Sequence, residues 1–154
     1  MKSHKAFVLV SIVTLLAIIG SAADKKLTKS QLPAAVQKAA EEQSKGAKVV
    51  GYSSEKEKGK TLYEVAMKVD NHTKDVIFDE TGKLVEVEEE VAVTSLPSGV
   101  QESLKKAAGR GKLGKVESLT KDGKLVAYEA IVTRRGKKSE IQVGPNGEKL
   151  DHEE

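Results

Sequence analysis

Two stretches of this chain repeat one another, and this constrains the fold more than any other feature of the sequence. The matches keep their order and a nearly constant offset: Leu32, Pro33, Val36 and Gln37 recur as Leu96, Pro97, Val100 and Gln101, Tyr63-Glu64 recurs as Tyr128-Glu129, and Thr81-Gly82 is matched by Asn146-Gly147. Ordered self-similarity of this kind predicts a tandem duplication. We place the first repeat at residues 24–94 and the second at residues 95–154.

Each repeat is predicted to begin with a helix and to continue as strands. Leu32, Val36 and Ala40 lie three or four residues apart, which is typical of one apolar stripe along a helix. Residues 61–69 then alternate between apolar and polar with period two, as in a strand with one buried face. Short turns rich in glycine link such strands into antiparallel neighbours. The predicted fold class is α+β, with two tandem repeats, each one helix packed on an antiparallel four-stranded meander sheet. The linker near Thr94-Ser95 is very short, so we expect the repeats to touch, with their sheets either separate or continuous. The fourth strand of the second repeat is expected near residues 149–150.

The N-terminus has the layout of a secretory signal peptide. Lys2 and Lys5 precede an apolar stretch over residues 6–19, and Ser21 and Ala23 occupy the −3 and −1 places of a cleavage site. The alternative is a retained membrane anchor, but the apolar stretch is shorter than the roughly 20 residues needed to span a bilayer. We therefore assign residues 1–23 to a signal peptide. We expect a periplasmic or secreted protein of the bacterial envelope, with no membrane attachment after cleavage.

Composition and motifs argue against several classes of function. Without Lys2 and Lys5 the charges nearly balance, which gives no support for nucleic-acid binding. The chain has no cysteine, so disulfides and cysteine metal sites are excluded. The letters of residues 109–115 match a glycine-rich phosphate loop, but here a helix precedes and a strand follows, which is the reverse of the required order. We expect a basic connector there. No nucleophile motif occurs, so we expect no enzyme, no cofactor and no metal site.

Three short motifs together resemble a known domain family. They are Leu-Pro-x-x-Val-Gln at the start of a helix, a later Tyr-Glu-Val or Tyr-Glu-Ala strand, and the hairpin over residues 79–84. In these the chain resembles the PepSY-like domain, also called the β-lactamase-inhibitor-protein-like domain. The resemblance implies a small helix-and-sheet module outside the cytoplasm, often in tandem, whose members bind or inhibit other exported proteins. It carries over no catalytic residue. Residues 144–150 depart from the pattern of the first repeat.

Charged and apolar positions on the predicted sheets suggest a binding surface. Glu86, Glu88 and Glu90 share one face of a strand, and residues 134–138 form a basic hairpin tip. These charges are either a solvated face or a rim that steers a partner. Several positions predicted to face solvent carry apolar side chains. These side chains either form a contact surface for a partner or are covered by the neighbouring repeat. The candidate partner-binding residues are Leu62, Ala66, Leu125, Ala127, Ile131, Arg134, Arg135, Lys137 and Lys138.

Two functional hypotheses follow from these features. The first is an exported, non-enzymatic and monomeric binding module that contacts or inhibits another envelope or secreted protein through its sheet face. The alternative is a periplasmic sensor of a small ligand or an ion, with the cleft between the repeats as its site. The acidic strand over residues 86–90 motivates the alternative.

Overall fold

The computed structural model describes residues 25–150 and residue 154, and its main feature is one antiparallel sheet of eight strands in the order of the sequence. The predicted signal peptide lies outside the described residues. The strands are β1 (Lys25–Leu27), β2 (Lys48–Glu57), β3 (Lys60–Val69), β4 (His72–Asp79), β5 (Leu84–Glu90), β6 (Lys112–Lys121), β7 (Lys124–Arg134) and β8 (Lys137–Val143). The helices are α1 (Ala34–Gln43) and α2 (Ser98–Ala108), each preceded by a short 3-10 turn.

Both helices lie where the apolar spacing predicts them, and both begin in the same way. Pro33 and Pro97 stand at the N-caps, and the side-chain amides of Gln37 and Gln101 each donate to the carbonyl oxygen of the leucine before the proline, at 2.9 Å. This bond satisfies a backbone acceptor at the entry to each helix. Gly109 ends α2 with a φ of 55°, a conformation that favours glycine.

The two helices pack on the same side of the sheet and define two separate apolar cores. Beneath α1, Val36 and Ala40 meet Val65, Val76 and Phe78. The core beneath α2 joins Leu96, Val100 and Leu104 to Val116, Ala130 and Val143. We call this side of the sheet the helix face and the opposite side the open face.

The predicted fold class of two repeats, each with a helix on its own four-stranded meander, is wrong. The structure has one continuous sheet, because β5 pairs with β6 from Glu86↔Lys121 to Glu90↔Glu117. Two small sheets would each present unpaired backbone N–H and C=O groups at their edges. Pairing β5 with β6 satisfies these groups, and it replaces the predicted cleft between the repeats with a hydrogen-bonded junction.

The division of strands between the halves also differs from the prediction. Five strands precede α2 and three follow it, since β1 adds a short strand at one edge. The strand expected near residues 149–150 is absent from the described part of the chain. The predicted connector over residues 109–115 is a turn followed by β6, which begins at Lys112.

The turn after β4 and the turn after β8 pack against the helices in the same manner. In the first, the N–H of Gly82 donates to Asp79 O at 3.0 Å; in the second, that of Gly147 donates to Gly144 O at 2.8 Å. A Cβ on Gly82 would lie 2.7 Å from Ala35 O. Because the φ of Gly82 is also +81°, this position requires glycine for conformation and for space.

Substituting Gly82 therefore tests how tightly the turn is held against α1. We expect Gly82→Ala to lower the free energy of unfolding by about 2–3 kcal/mol, from backbone strain plus steric overlap. Gly59→Ala is the matched control, since Gly59 has the same φ of +81° and nothing within 4 Å of the added Cβ. Gly59→Ala should lower the free energy of unfolding by about 1 kcal/mol. Urea unfolding measures both variants, and an equal loss of unfolding free energy in Gly82→Ala and Gly59→Ala would contradict the close packing of this turn on α1.

Candidate functional site

The open face of the sheet carries a band of acidic side chains on an apolar floor. The register of the strands places the following residues on this face: Leu62, Glu64, Ala66, Asp75, Ile77, Glu86, Glu88, Glu90, Glu117, Leu119, Ala127, Glu129 and Ile131. Ile77, Leu119 and Ala127 are buried, with 7%, 2% and 0% of their surface exposed. The carboxylates above them therefore stand in a partly desolvated environment.

Three carboxylates from neighbouring strands meet at the centre of this band, and we call Asp75, Glu88 and Glu117 the acidic trio. Their oxygen atoms lie within 4.8 Å of one another. Asp75 of β4 is directly opposite Glu88 of β5, and Glu117 of β6 reaches them across the β5–β6 junction. The trio is therefore built by the junction itself.

Only part of the negative charge of the trio is neutralised by neighbouring bases. Glu117 is the one buried charged residue in the described part of the chain, and Lys115 Nζ donates to its Oε1 at 2.6 Å. Burial, followed by the neighbouring carboxylates of Glu86 and Glu117, raises the pKa of Glu88 to about 8. Burial also raises the pKa of Asp75 to about 6, with Glu64 the next cause.

The acids around the trio are fixed by hydrogen bonds. Ser53 Oγ donates to Glu64 and Gln142 Nε2 donates to Glu129, each at 2.9 Å. Glu90 accepts from both the N–H and the hydroxyl of Thr73 at 3.0 Å. The acidic band is thus held in position before any partner arrives, which lowers the entropy cost of binding.

Such a surface can bind a positively charged group. A cation placed over the trio gains favourable interactions with carboxylates in an environment where water screens charge poorly. It also favours the ionised forms of Asp75 and Glu88. A lysine or arginine side chain of a protein, or a metal cation, has the required charge.

Of the five apolar residues predicted to bind a partner, four lie on the open face and one does not. Leu62, Ala66, Ala127 and Ile131 are on this face beside the acidic band. The prediction that Leu125 shares it is wrong, because the register shifts by one residue between Leu119 and Thr120. The shift places Leu125 opposite Thr120 on the helix face, since a bulge reverses the alternation of the strand.

The predicted basic residues do not join the acidic trio, because they sit at the far end of the sheet. Arg134 lies on the helix face and bonds the last turn of α2, with Nη2 donating to Ala107 O at 2.8 Å and Ala108 O at 2.9 Å. Its guanidinium satisfies helix carbonyls, which is a structural role. Arg135 occupies the tip of the hairpin, and Lys137 and Lys138 are exposed on β8.

Sequence reasoning missed Asp75 and Glu117 as members of a site. The period-two pattern places Glu88 outward, and the same pattern is available for Asp75. However, the meeting of the three carboxylates depends on the β5–β6 register, which joins strands of the two predicted repeats and cannot be read from either repeat alone.

The raised pKa of Glu88 predicts that stability depends on pH. Between the ordinary value of 4.5 and about 8 the folded chain binds more protons than the unfolded chain, so stability falls as the pH rises through this window. Glu88→Gln should therefore stabilise the protein at pH 8 by about 1 kcal/mol, or roughly 4 °C in Tm. At pH 4 the unmodified protein and Glu88→Gln should have nearly equal stability. Scanning calorimetry measures this, with Glu102→Gln on the exposed side of α2 as control; a gain for Glu88→Gln that is independent of pH would contradict the account.

Neither helix that the structure describes is long and apolar enough to cross a bilayer. No known protein family matches the sequence, and no curated protein matches it either.

Comparison with solved structures shows which fold this is. The chain is similar to a BLIP-like protein from Bacteroides fragilis, with 21% identity and a TM-score of 0.55 over 75% of this chain and 81% of that chain. A DUF2874 family protein from Bacteroides ovatus gives 18% identity and a TM-score of 0.59, covering 78% and 85% of the two chains. A protein from Bacteroides eggerthii with a provisional periplasmic assignment gives 17% identity and a TM-score of 0.61, covering 76% of this chain and 84% of that chain. That assignment agrees with the periplasmic or secreted location predicted for this chain. The chain has the BLIP-like fold, while the PepSY-like name and the tandem duplication stay predictions.

Proposed function

We propose that this chain is an exported, non-enzymatic binding module that contacts another envelope or secreted protein through the open face of its sheet. The observation that carries the proposal is a face where apolar side chains and half-buried carboxylates lie opposite both helices. Desolvated acids on an apolar floor are costly in the free protein, and a partner that supplies positive charge removes that cost. Similarity in fold to a BLIP-like protein supports a role in protein binding.

The acidic trio indicates the chemistry of the partner. A protruding lysine or arginine that enters between Asp75 and Glu88 would be neutralised by two carboxylates over Ile77 and Leu119. Charged groups that are fully desolvated at the centre of an interface contribute more than those at the rim. Inhibition is the outcome if the inserted residue belongs to the active site of the partner.

Site-specific photo-crosslinking in the native envelope tests this proposal. A photoreactive amino acid at Ala66, beside Asp75 on the open face, should give one dominant adduct with an exported protein. The same group at Lys38, exposed on α1, should give none. Adding Glu88→Lys to the Ala66 probe should reduce the adduct by about tenfold, since like charges meet in the interface. Equal adducts from Ala66 and Lys38, or none from either, would contradict the proposal.

Cation binding is a second candidate, because the oxygen atoms of the acidic trio lie close enough to share one ion. Oxygen ligands of this kind suit Ca²⁺, which takes six to eight of them. Lys115 competes with an ion for Glu117. Calorimetric titration of the mature chain with Ca²⁺, at a pH above 8 where Asp75 and Glu88 are ionised, decides this candidate. Binding heat that is seen with the unmodified protein and lost in Asp75→Asn supports cation binding. A titration of the unmodified protein that shows no binding heat rules it out.

A further inference from the structure

A groove lies between α2 and the edge strand β8, far from the acidic trio. It has a volume of about 720 Å³. Its apolar floor is formed by Ala107, Ile141 and Val143, with Leu150 at one end, and Lys106 and Lys149 stand on its rim. Among the described strands β8 pairs only with β7, so β8 forms one edge of the described sheet.

The first half of the chain shows what fills the corresponding position. There the turn after β4 leads into β5, whose Leu84 and Val87 pack onto the core beneath α1. The turn after β8 has the same hydrogen bonds: Asp79 N–H donates to Lys83 O at 3.0 Å, and Gly144 N–H donates to Glu148 O at 2.8 Å. Counting along the sequence from these turns, Lys149 corresponds to Leu84 and His152 corresponds to Val87. The second half therefore lacks the two apolar side chains that would close the groove.

We propose that the groove and the outer edge of β8 form a strand-addition site that takes an extended acidic segment of another protein. The segment would pair with β8 as β5 pairs with β4, and two apolar side chains would enter the groove toward Ile141 and Val143. Main-chain hydrogen bonds would supply affinity, and the side chains that enter the groove would supply specificity. The groove is separate from the acidic trio, and the site does not depend on the function proposed for the open face.

The acidic character of the segment follows from the charges at the other end of β8. On β4, Thr73 holds Glu90 of β5 through two hydrogen bonds of 3.0 Å, and His72 Nε2 lies 2.9 Å from Glu89 Oε1. At the same distances from the turn, β8 carries Lys138 and Lys137. Acidic residues at the end of an added strand would meet these lysines, which are exposed and make no ion pair in the described part of the chain.

The main rival for this site is the C-terminus of the chain itself. The N–H of Glu154 donates to Gln142 Oε1 at 2.8 Å, so the last residue reaches β8. Because the sequence has Lys149 and His152 at the positions that match Leu84 and Val87, it offers no apolar side chain for either anchor. An external strand with apolar anchors should therefore displace it.

The test uses a fluorescent synthetic peptide with the sequence of β5, Leu-Val-Glu-Val-Glu-Glu-Glu, and the mature chain. Fluorescence anisotropy should show saturable binding. A peptide with serine at the two anchor positions should bind at least about tenfold more weakly, because two aliphatic side chains are no longer buried. Lys138→Glu should weaken binding of the parent peptide by about fivefold, as expected for reversing one exposed charge pair.

Two protein variants separate the groove from the rest of the surface. Ala107→Trp fills the groove from an exposed helix position and should weaken binding at least about tenfold. Lys105→Trp, on the opposite side of α2, should leave binding unchanged. The proposal is overturned if the peptide fails to bind, if both tryptophan variants bind equally, or if binding occurs only after residues 151–154 are removed. The last result would assign the groove to the tail of the chain.

Discussion

The pairing of β5 with β6 is the interaction on which the rest of this structure depends. Besides the ladder, Ser118 Oγ donates to Glu89 O at 3.3 Å, and Lys121 Nζ lies 3.6 Å from Glu86 Oε2. The two apolar cores are separate, so each half buries its own helix and neither needs the other for that purpose. What the junction adds is a continuous open face, on which residues from both halves become neighbours. Without it there is no acidic trio.

The same junction explains why the centre of the open face is energetically unusual. A carboxylate loses favourable hydration when it is buried, and a second carboxylate nearby adds repulsion. Asp75, Glu88 and Glu117 experience both effects, and only Glu117 has a lysine at 2.6 Å. The sheet tolerates this arrangement because its apolar cores lie on the other face. A surface whose carboxylates repel one another until a cation covers them is suited to recognition.

Local features were predictable from the sequence, whereas features that depend on register were not. The apolar spacing around Val36 and Val100 predicts both helices, and alternation places Glu86, Glu88 and Glu90 on one face, as the ladder confirms. A bulge moves Leu125 to the helix face, and periodicity cannot detect one extra residue in a strand. Arg134 was grouped with its charged neighbours, but its side chain bonds the end of α2. Whether the two sheets join stayed open in the sequence, because a short linker between the repeats fits both joined and separate sheets.

Titration of the Glu88 side-chain carboxyl by carbon-detected NMR is the most direct test of this account. The signal reports burial at the centre of the open face and the presence of Glu117 across the junction. We expect a pKa of about 8 in the mature chain, moving toward the ordinary value of 4.5 when Glu117→Gln removes the carboxylate across the junction. A pKa near 4.5 in the unmodified protein would show that the acids are not gathered at a desolvated centre, and it would contradict the joined sheet and the binding face built on it.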